Sequence, residues 1–369
     1  MADPVPPFIP IYRPDLSGRE REYVEECLTS TWISSKGRFI GDFESAFADY
    51  VGASHAAACS NGTVALHLAL LALGIGPGDE VIVPTLTYIA SVNAIRYVGA
   101  TPIFCDSGDE DWQADPVAIE AQITSRTRAI MIVHLYGGAV DVEAIGALAR
   151  RRGLFIVEDC AEAIGTRVGK RHVGTFGDIA TFSFFGNKTI TTGEGGMVVT
   201  ADPALHRAVC HFKGQGLAEG REYWHDVVGY NYRMTNICAA IGLAQFERIE
   251  HFLVDKARVA AGYRKRLGQA PVTFQASRPG TTHSHWMVTL TVAHADDRDP
   301  LRAALGRAGI ETRPVFFPIH TMPMYRSSRR AFPVADDIAA RGFNLPSWPG
   351  LADADLDRIC ASVLEYLRA

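Results

Sequence analysis

The chain has 369 residues, of which 47% are hydrophobic, and its formal net charge is −5. This length allows a large core and more than one domain. The acidic balance gives no basic footprint for nucleic acid, and no apolar stretch approaches the roughly 20 residues that span a bilayer. The 7 cysteines are scattered without a CxxC pair, which indicates reduced thiols, and residues 1–7 show no signal-peptide pattern. We therefore expect a cytoplasmic protein that binds neither nucleic acid nor membrane.

Between Ala56 and Thr200, short β-branched runs alternate with helical patterns. The pattern predicts helices over Val64–Leu73, Tyr88–Val98 and Val142–Arg152, and buried strands at Val81–Val83, Thr101–Phe104, Ala129–Val133 and Leu154–Val157. Such alternation is typical of a mostly parallel sheet covered by helices. In open sheets of this kind ligands bind at the carboxyl ends of the strands, so the turns that follow them are the places to look for chemistry.

The later part of the chain has a different organisation. Apolar residues at helical spacing predict one helix over residues 236–253, followed by a charged helix over about 255–267. Further elements are predicted as a strand at Trp286–Val292, a helix at Asp299–Ala308 and a C-terminal helix from about residue 353. Because Pro271 and the Ser277–Gly280 loop interrupt the helical pattern, we divide the chain into a large domain (residues 1–252) and a small domain (residues 253–369).

Lys188 is the most informative residue in this sequence. It follows the apolar, aromatic run Phe182–Phe185 and precedes the loop Thr189–Gly196, which is rich in glycine and hydroxyl groups. A lysine held among apolar groups has a lowered pKa and becomes an amine nucleophile that can form a Schiff base with an aldehyde cofactor. The alternative is an ordinary loop lysine that extends into solvent.

Asp159 lies at the end of a predicted buried strand. A carboxylate at that depth needs a cationic partner, for which a pyridinium nitrogen would serve. The alternative is a helix capping box formed by Asp159 and Glu162.

Two further features fit a phosphorylated, aromatic cofactor. The turn Ser60–Thr63 lies directly before a predicted helix, where free amides and the helix dipole favour a phosphate; ordinary helix capping is the alternative. Tyr88 follows a predicted strand and could stack on a flat heterocycle, or could be a core aromatic residue.

Together these features resemble the fold-type I enzymes that use pyridoxal 5′-phosphate (PLP). Over nearly its whole length the chain resembles the DegT/DnrJ/EryC1/StrS family of sugar aminotransferases. The resemblance is carried by the segments Thr31–Ser35, Gly78–Ala90, Val133–Gly137, Glu158–Gly165, Phe182–Val198, Arg221–Asp226, Gly229–Asn236 and Asn344–Leu351. It implies an α/β fold in which a large domain has a mostly parallel seven-stranded sheet and a smaller C-terminal domain is α+β.

The family resemblance also implies roles for individual residues. Lys188 would bind PLP covalently and move the catalytic proton, and Asp159 would pair with the pyridinium nitrogen. Glu162 would lie near the ring hydroxyl, where many relatives have Gln. Tyr88 would stack on the ring.

The phosphate of PLP would be held by Gly62, Thr63 and Ser183. Asn231 and Arg233 would reach the phosphate or the nucleotide from a neighbouring subunit. The resemblance therefore implies a homodimer with shared active sites.

The segments Phe182–Met197 and Asn344–Leu351 resemble the branch of the family that aminates GDP-4-keto-6-deoxy-D-mannose to GDP-perosamine. This implies glutamate as amino donor and pyridoxamine phosphate (PMP) as the intermediate form of the cofactor. Candidate residues for binding the substrate are Ser34, Arg233, His285, Arg313 and His320, although each histidine could equally be packed or solvated. The His283–His285 pair lacks a third ligand, so we expect no metal site.

Three alternatives remain at this stage. The enzyme could aminate a UDP- or dTDP-linked keto sugar. It could be a PLP-dependent sugar dehydratase, although those relatives carry His at the position of Lys188. It could also be a non-catalytic regulator that keeps the fold.

Overall fold

The protein is described by a computed structural model that covers residues 7–326 and 331–368. Residues 1–6, where the sequence shows no signal-peptide pattern, lie outside this description. The α-helices are α1 (Glu20–Ser30), α2 (Arg38–Val51), α3 (Gly62–Ala72), α4 (Ile89–Tyr97), α5 (Pro116–Glu120), α6 (Val142–Arg152), α7 (Pro203–Lys213), α8 (Asn236–Phe246), α9 (Ile249–Leu267), α10 (Ala295–Arg307), α11 (Pro333–Arg341) and α12 (Asp353–Arg368).

A seven-stranded sheet forms the centre of the molecule, with strands in the order β1-β9-β8-β5-β4-β2-β3. The strands are β1 (His55–Cys59), β2 (Glu80–Pro84), β3 (Thr101–Cys105), β4 (Thr127–Val133), β5 (Phe155–Asp159), β8 (Ile179–Ser183) and β9 (Gly196–Thr200). Neighbours from β8 to β3 pair in parallel, whereas β9 pairs antiparallel with both β8 and β1. The α/β fold with a mostly parallel sheet is confirmed.

Two smaller antiparallel sheets accompany the large one. A four-stranded sheet has the order β10-β12-β14-β13, and a three-stranded sheet has the order β11-β6-β7. Their strands are β6 (Arg167–Val168), β7 (Arg171–His172), β10 (Val272–Phe274), β11 (Thr281–Thr282), β12 (Val288–Val292), β13 (Arg313–Pro314) and β14 (Gly342–Leu345). The four-stranded sheet packs with α9, α10 and α12 around its own apolar cluster.

The predicted strands are all present, but the burial prediction is wrong for β3. Strands β2, β4 and β5 are largely buried, whereas Thr101 is exposed and Pro102–Phe104 are only half-buried. The reason is position, because β3 is an edge strand of the sheet. The composition of a strand indicates its apolar character but not its place in the strand order.

The prediction of one helix over residues 236–253 is also wrong. Helix α8 ends at Phe246 and α9 begins at Ile249, continuing without a break to Leu267. At the junction the Arg248 guanidinium lies 2.8 Å from the Asp15 carboxylate, and the Arg248 backbone is non-helical. The apolar spacing continues through this break, so the pattern could not reveal it. The predicted division at residue 252 falls within α9, and the division into two domains stays a prediction.

All 7 cysteines lie in the described ranges, and none forms a disulfide bond. Within residues 7–326 and 331–368, no helix has the length and apolar character required to cross a membrane. The cytoplasmic location stays a prediction.

Candidate active site

The Lys188 side chain lies in the loop that connects β8 with β9, and only 13% of its surface is exposed. Its Nζ atom is 3.7 Å from Glu162 Oε1 and 4.0 Å from the centroid of the Trp286 ring. Burial lowers the pKa of the Lys188 amine, and the carboxylates of Glu162 and Asp159 oppose that shift. The lysine is therefore enclosed between an aromatic face and an acidic group, and the loop-lysine alternative is wrong.

Glu162 is buried and is fixed on both sides. Its Oε2 atom accepts a hydrogen bond of 2.7 Å from the Tyr136 amide, while Oε1 faces Lys188. Tyr136 takes a left-handed backbone conformation, with φ of 58°, which costs about 1 kcal/mol for a residue with a side chain. Burial raises the pKa of Glu162 to about 7, with Lys188 and the Tyr136 amide acting in the opposite direction. This carboxyl group can therefore exchange a proton near neutral pH.

Asp159 lies at the carboxyl end of β5 and is 5% exposed. Its carboxylate accepts hydrogen bonds from Ser91 Oγ (2.7 Å) and from the Ala161 amide (3.0 Å). The residues after Asp159 form turns and not a helix. The capping-box alternative is therefore wrong, since Glu162 binds the Tyr136 amide instead.

The predicted phosphate cradle would lie at the start of α3. Asn61 caps the helix through a 3.0 Å hydrogen bond from the Val64 amide, and the first-turn amides of a helix have no intrahelical partner. Gly62 packs directly against Ser183 at the end of β8, where an added Cβ would lie 2.7 Å from Ser183 Cβ. The fold thus brings together Gly62, Thr63 and Ser183, and leaves space at residue 62 for glycine alone.

Tyr88 lies at the start of α4 and is 57% exposed. Its ring centroid is 5.5 Å from that of Phe316. The core-aromatic alternative is therefore wrong, and the ring is free to contact a ligand.

The segment that contains Asn231 and Arg233 pairs with its own chain. The Ser60 amide donates to Tyr232 O at 2.8 Å, and Arg233 forms an isolated β-bridge with Cys59. The side chains of Asn231 and Arg233 are exposed. A role in a neighbouring subunit's site stays a prediction.

The other candidate substrate residues are placed less uniformly. Ser34 and Arg313 are exposed, and Arg313 lies 3.5 Å from Glu311. His320 is held by Thr85 Oγ1 (2.8 Å) and Asp336 (3.3 Å), so it already has partners in the fold. His285 stacks on His283 with centroids 4.3 Å apart, and burial lowers its pKa to about 4. These contacts fit packed histidines better than groups free for a ligand.

Sequence reasoning missed the groups that surround Lys188. The Trp286 indole donates from Nε1 to Asn187 O at 2.8 Å, and the Tyr12 hydroxyl donates to Lys188 O at 2.6 Å. Tyr136 and Phe316 extend the aromatic wall, with centroids 5.3 Å apart. Tyr136 lies within a segment that carries the resemblance, but Trp286 and Tyr12 reach the site over long sequence separations that leave no local signal.

One buried group in the described chain has the composition of a metal site, namely His134, Glu158 and Cys160. The Glu158 carboxylate, however, accepts hydrogen bonds from His134 and from the amides of the loop that follows β7, at Gly174, Phe176 and Gly177. Burial opposes its charge, but these donors hold the pKa of Glu158 below its usual value. The carboxylate fixes a loop, which accounts for its position.

The fold and the site define a class of protein, a fold-type I PLP-dependent aminotransferase. The chain belongs to the DegT/DnrJ/EryC1/StrS aminotransferase family, which matches residues 14–364. The fit to PLP rests on the glycine-only cradle between Gly62 and Ser183, the enclosed Lys188 amine and the buried Asp159 carboxylate.

Relatives with known names span nearly the whole chain. GDP-perosamine synthase of Escherichia coli O157:H7 is 57% identical over 97% of this chain and 98% of its own length. GDP-perosamine synthase of Caulobacter vibrioides is 49% identical over 98% of this chain and 99% of its own.

Solved structures confirm the fold. S. venezuelae DesV superposes with a TM-score of 0.92 at 33% identity, covering 99% of this chain and 100% of that one. The sugar aminotransferase Spr1654 of Streptococcus pneumoniae, described as putative, has been solved in a PLP form that superposes with a TM-score of 0.92 at 26% identity over 99% of both chains. It has also been solved in a PMP form.

Proposed function

We propose that this enzyme transfers an amino group from L-glutamate to C4 of GDP-4-keto-6-deoxy-D-mannose, giving GDP-perosamine and 2-oxoglutarate. The observation that carries the proposal is the full-length similarity to GDP-perosamine synthases at up to 57% identity, in a chain that keeps Lys188. The dehydratase alternative is disfavoured by Lys188 itself, and the regulator alternative by the intact set of Lys188, Asp159 and Ser183.

The residues of this chain divide the work among them. Lys188, Asp159, Gly62, Thr63 and Ser183 would hold PLP, which supplies an aldehyde for the incoming amine and an electron sink for the carbanion. Lys188 Nζ takes and returns the proton that each half-reaction moves, because it is the enclosed amine of the site. Asp159, fixed by Ser91 and the Ala161 amide, would present its buried carboxyl group to the ring nitrogen of PLP.

Glu162 Oε1 lies 3.7 Å from Lys188 Nζ, which also contacts the Trp286 ring, and the carboxyl group can exchange a proton with the amine near neutral pH. Trp286, Tyr136 and Phe316 form an apolar wall that excludes water from the amine. Because one site serves the donor and the sugar in turn, the kinetics should be ping-pong.

We further propose that the working form is a homodimer. Large apolar side chains are exposed on the described monomer, among them Trp32 and, shortly before Asn231 and Arg233 in the chain, Tyr223, Trp224 and Val228. Exposed apolar groups of this size are typical of a subunit interface.

The amino transfer is tested with the visible absorbance of the PLP-loaded protein. Glutamate should bleach the band of bound PLP, and a 4-keto sugar nucleotide should restore it. Lys188→Ala should lack the wild-type band and lose activity by several orders of magnitude, since the proton carrier is removed. Failure of glutamate to alter the wild-type band would contradict the proposal.

The sugar is tested by comparing GDP-4-keto-6-deoxymannose with UDP- and dTDP-linked 4-keto sugars at equal concentration. We expect the highest kcat/KM with the GDP sugar. A higher value for another nucleotide would overturn the substrate assignment but would leave the amino transfer intact.

A further inference from the structure

A second lysine, Lys256, is buried beneath the active site, and the chemistry described above does not use it. It lies on α9 and is 2% exposed. Its Nζ atom donates to Trp286 O at 3.1 Å and to Ser347 O at 2.9 Å. Among the described residues no carboxylate lies within ion-pair distance of this amine. A buried lysine without a counter-ion is costly, and burial lowers the pKa of Lys256 to about 7.

Two of the residues around Lys188, Trp286 and Tyr12, lie next to the Lys256 amine. Lys256 Nζ binds the carbonyl of Trp286, whose ring lies 4.0 Å from Lys188 Nζ and whose indole N–H is bonded to Asn187 O. Lys256 Nζ also lies 5.2 Å from the ring centroid of Tyr12, whose hydroxyl is bonded to Lys188 O. Through Trp286 and Tyr12, the Lys256 amine therefore supports both the backbone of the Lys188 loop and the aromatic ring that lies against the Lys188 amine.

The second partner of Lys256, the Ser347 carbonyl, connects the Lys256 amine to the four-stranded antiparallel sheet. Ser347 follows β14; its hydroxyl accepts from the Val288 amide at 2.8 Å, and its amide donates to Ile11 O at 3.1 Å. Lys256 thus joins α9, the start of β12, the loop after β14 and the N-terminal segment. The buried carbonyl oxygens of Trp286 and Ser347 need a side chain that donates two hydrogen bonds, and an apolar residue would leave both unsatisfied.

From this geometry we infer that Lys256 is a positioning residue for the amino transfer, which sets the Trp286 ring and the Tyr12 hydroxyl against Lys188. This inference rests on the proposed role of Lys188. The inference goes beyond that role because it assigns part of the positioning of Lys188 to the four-stranded antiparallel sheet.

The test is Lys256→Met, which keeps a flexible apolar stem and removes the donors. We expect kcat to fall about tenfold or more, because a small misplacement of a catalytic group is costly, with the KM values for both substrates changed much less. The pH midpoint of the absorbance band of the PLP-loaded protein should shift, because the surroundings of Lys188 change.

The matched control is Val363→Ala, a cavity variant in the apolar cluster under α9, separate from the cluster that holds Trp286. It should lose stability to urea while its absorbance midpoint stays at the wild-type value. An unchanged midpoint in Lys256→Met as well would show a purely structural role and overturn the inference.

A double-mutant cycle with Trp286→Leu tests the route. If Lys256 acts through Trp286, adding Lys256→Met to Trp286→Leu should change kcat and the midpoint much less than it does in the wild type. Fully additive effects would contradict the inference. Lys256→Gln retains an NH₂ donor on a chain one bond shorter and should recover part of kcat; it also replaces the methionine variant in the cycle if that variant does not fold. Loss of glutamate bleaching in the wild type would instead refute the proposed function.

Discussion

Glu162 stands where a neutral amide would satisfy the same backbone donor, since Tyr136 N–H needs only one acceptor oxygen. A carboxyl group differs from an amide in that it can gain and lose a proton. A buried carboxyl 3.7 Å from Lys188 Nζ can take up or release a proton with the amine, whereas an amide cannot. The residue therefore gives the site a pH dependence that a Gln at this position would lack.

We predict that the titration of Glu162 makes the free energy of unfolding depend on pH. The pKa of Glu162 is raised from 4.5 to about 7 in the folded protein, so between these values the folded chain binds more protons than the unfolded chain. Stability conferred through this group is therefore lost as the pH rises through that window, by about 2–3 kcal/mol. Glu162→Gln should remove this slope, as measured by urea unfolding of the PLP-free chain at about pH 5 and about pH 8. Equal slopes in the wild type and the variant would contradict the prediction.

The surroundings of a residue can be predicted from the sequence only where they are formed by neighbours in the chain. The buried environments of Lys188 and Asp159 could be predicted. Asp159 ends an apolar strand and Lys188 follows one closely, so the apolar residues that indicate burial are their neighbours in the chain. Trp286, Tyr12 and Lys256 could not, because each contributes through a contact with a residue far away in the chain. A local pattern shows that a residue is buried but not what it is buried against.

The parallel strands and the start of α3 act as one unit. The carboxyl ends of β5 and β8 bring Asp159 and Ser183 to the same edge, and α3 begins there with Gly62 against Ser183. The alternation of strands and helices predicted this edge. The break between α8 and α9 and the edge position of β3 depend on packing partners, and the same alternation did not reveal them.

We predict that the cradle is sensitive to a single methyl group. Gly62→Ala would place a Cβ 2.7 Å from Ser183 Cβ, so that either the α3 terminus or the end of β8 must move. We expect PLP affinity to fall about tenfold and stability to fall by about 1–3 kcal/mol. Equilibrium titration with PLP and urea unfolding measure the two effects.

The control for this variant is Gly41→Ala, in the interior of α2, where an added Cβ meets nothing within 4 Å. Since alanine favours a helix, this change should raise stability by about 0.5–1 kcal/mol and leave PLP affinity unchanged. If both variants bound PLP like the wild type, the cradle would not have the close fit described above.

In an assembly of two copies, the side chains of the segment from Asn231 to Arg233 can act in the site of their own chain or in that of the partner. The backbone of this segment is fixed to its own chain at Cys59 and Ser60, close to its own cradle, while its side chains are exposed. The same placement therefore allows the side chains to serve the home site or the site of a two-fold partner. In the proposed homodimer, these side chains serve the partner's site.

Complementation between two inactive chains distinguishes these arrangements. Lys188→Ala destroys a site in the chain that carries it, whereas Arg233→Ala should destroy the partner's site. In a dimer that mixes them, one site carries both defects and the other carries neither. Random mixing makes half of the dimers heterodimers with one intact site of two, so activity should return to about a quarter of the wild-type value. Co-refolding equal amounts and assaying GDP-sugar amination measures this. Each variant refolded alone is the control, and analytical ultracentrifugation verifies the dimer. If Arg233 served its own site, every site in the mixture would carry one defect, and activity would stay at the level of the separate variants.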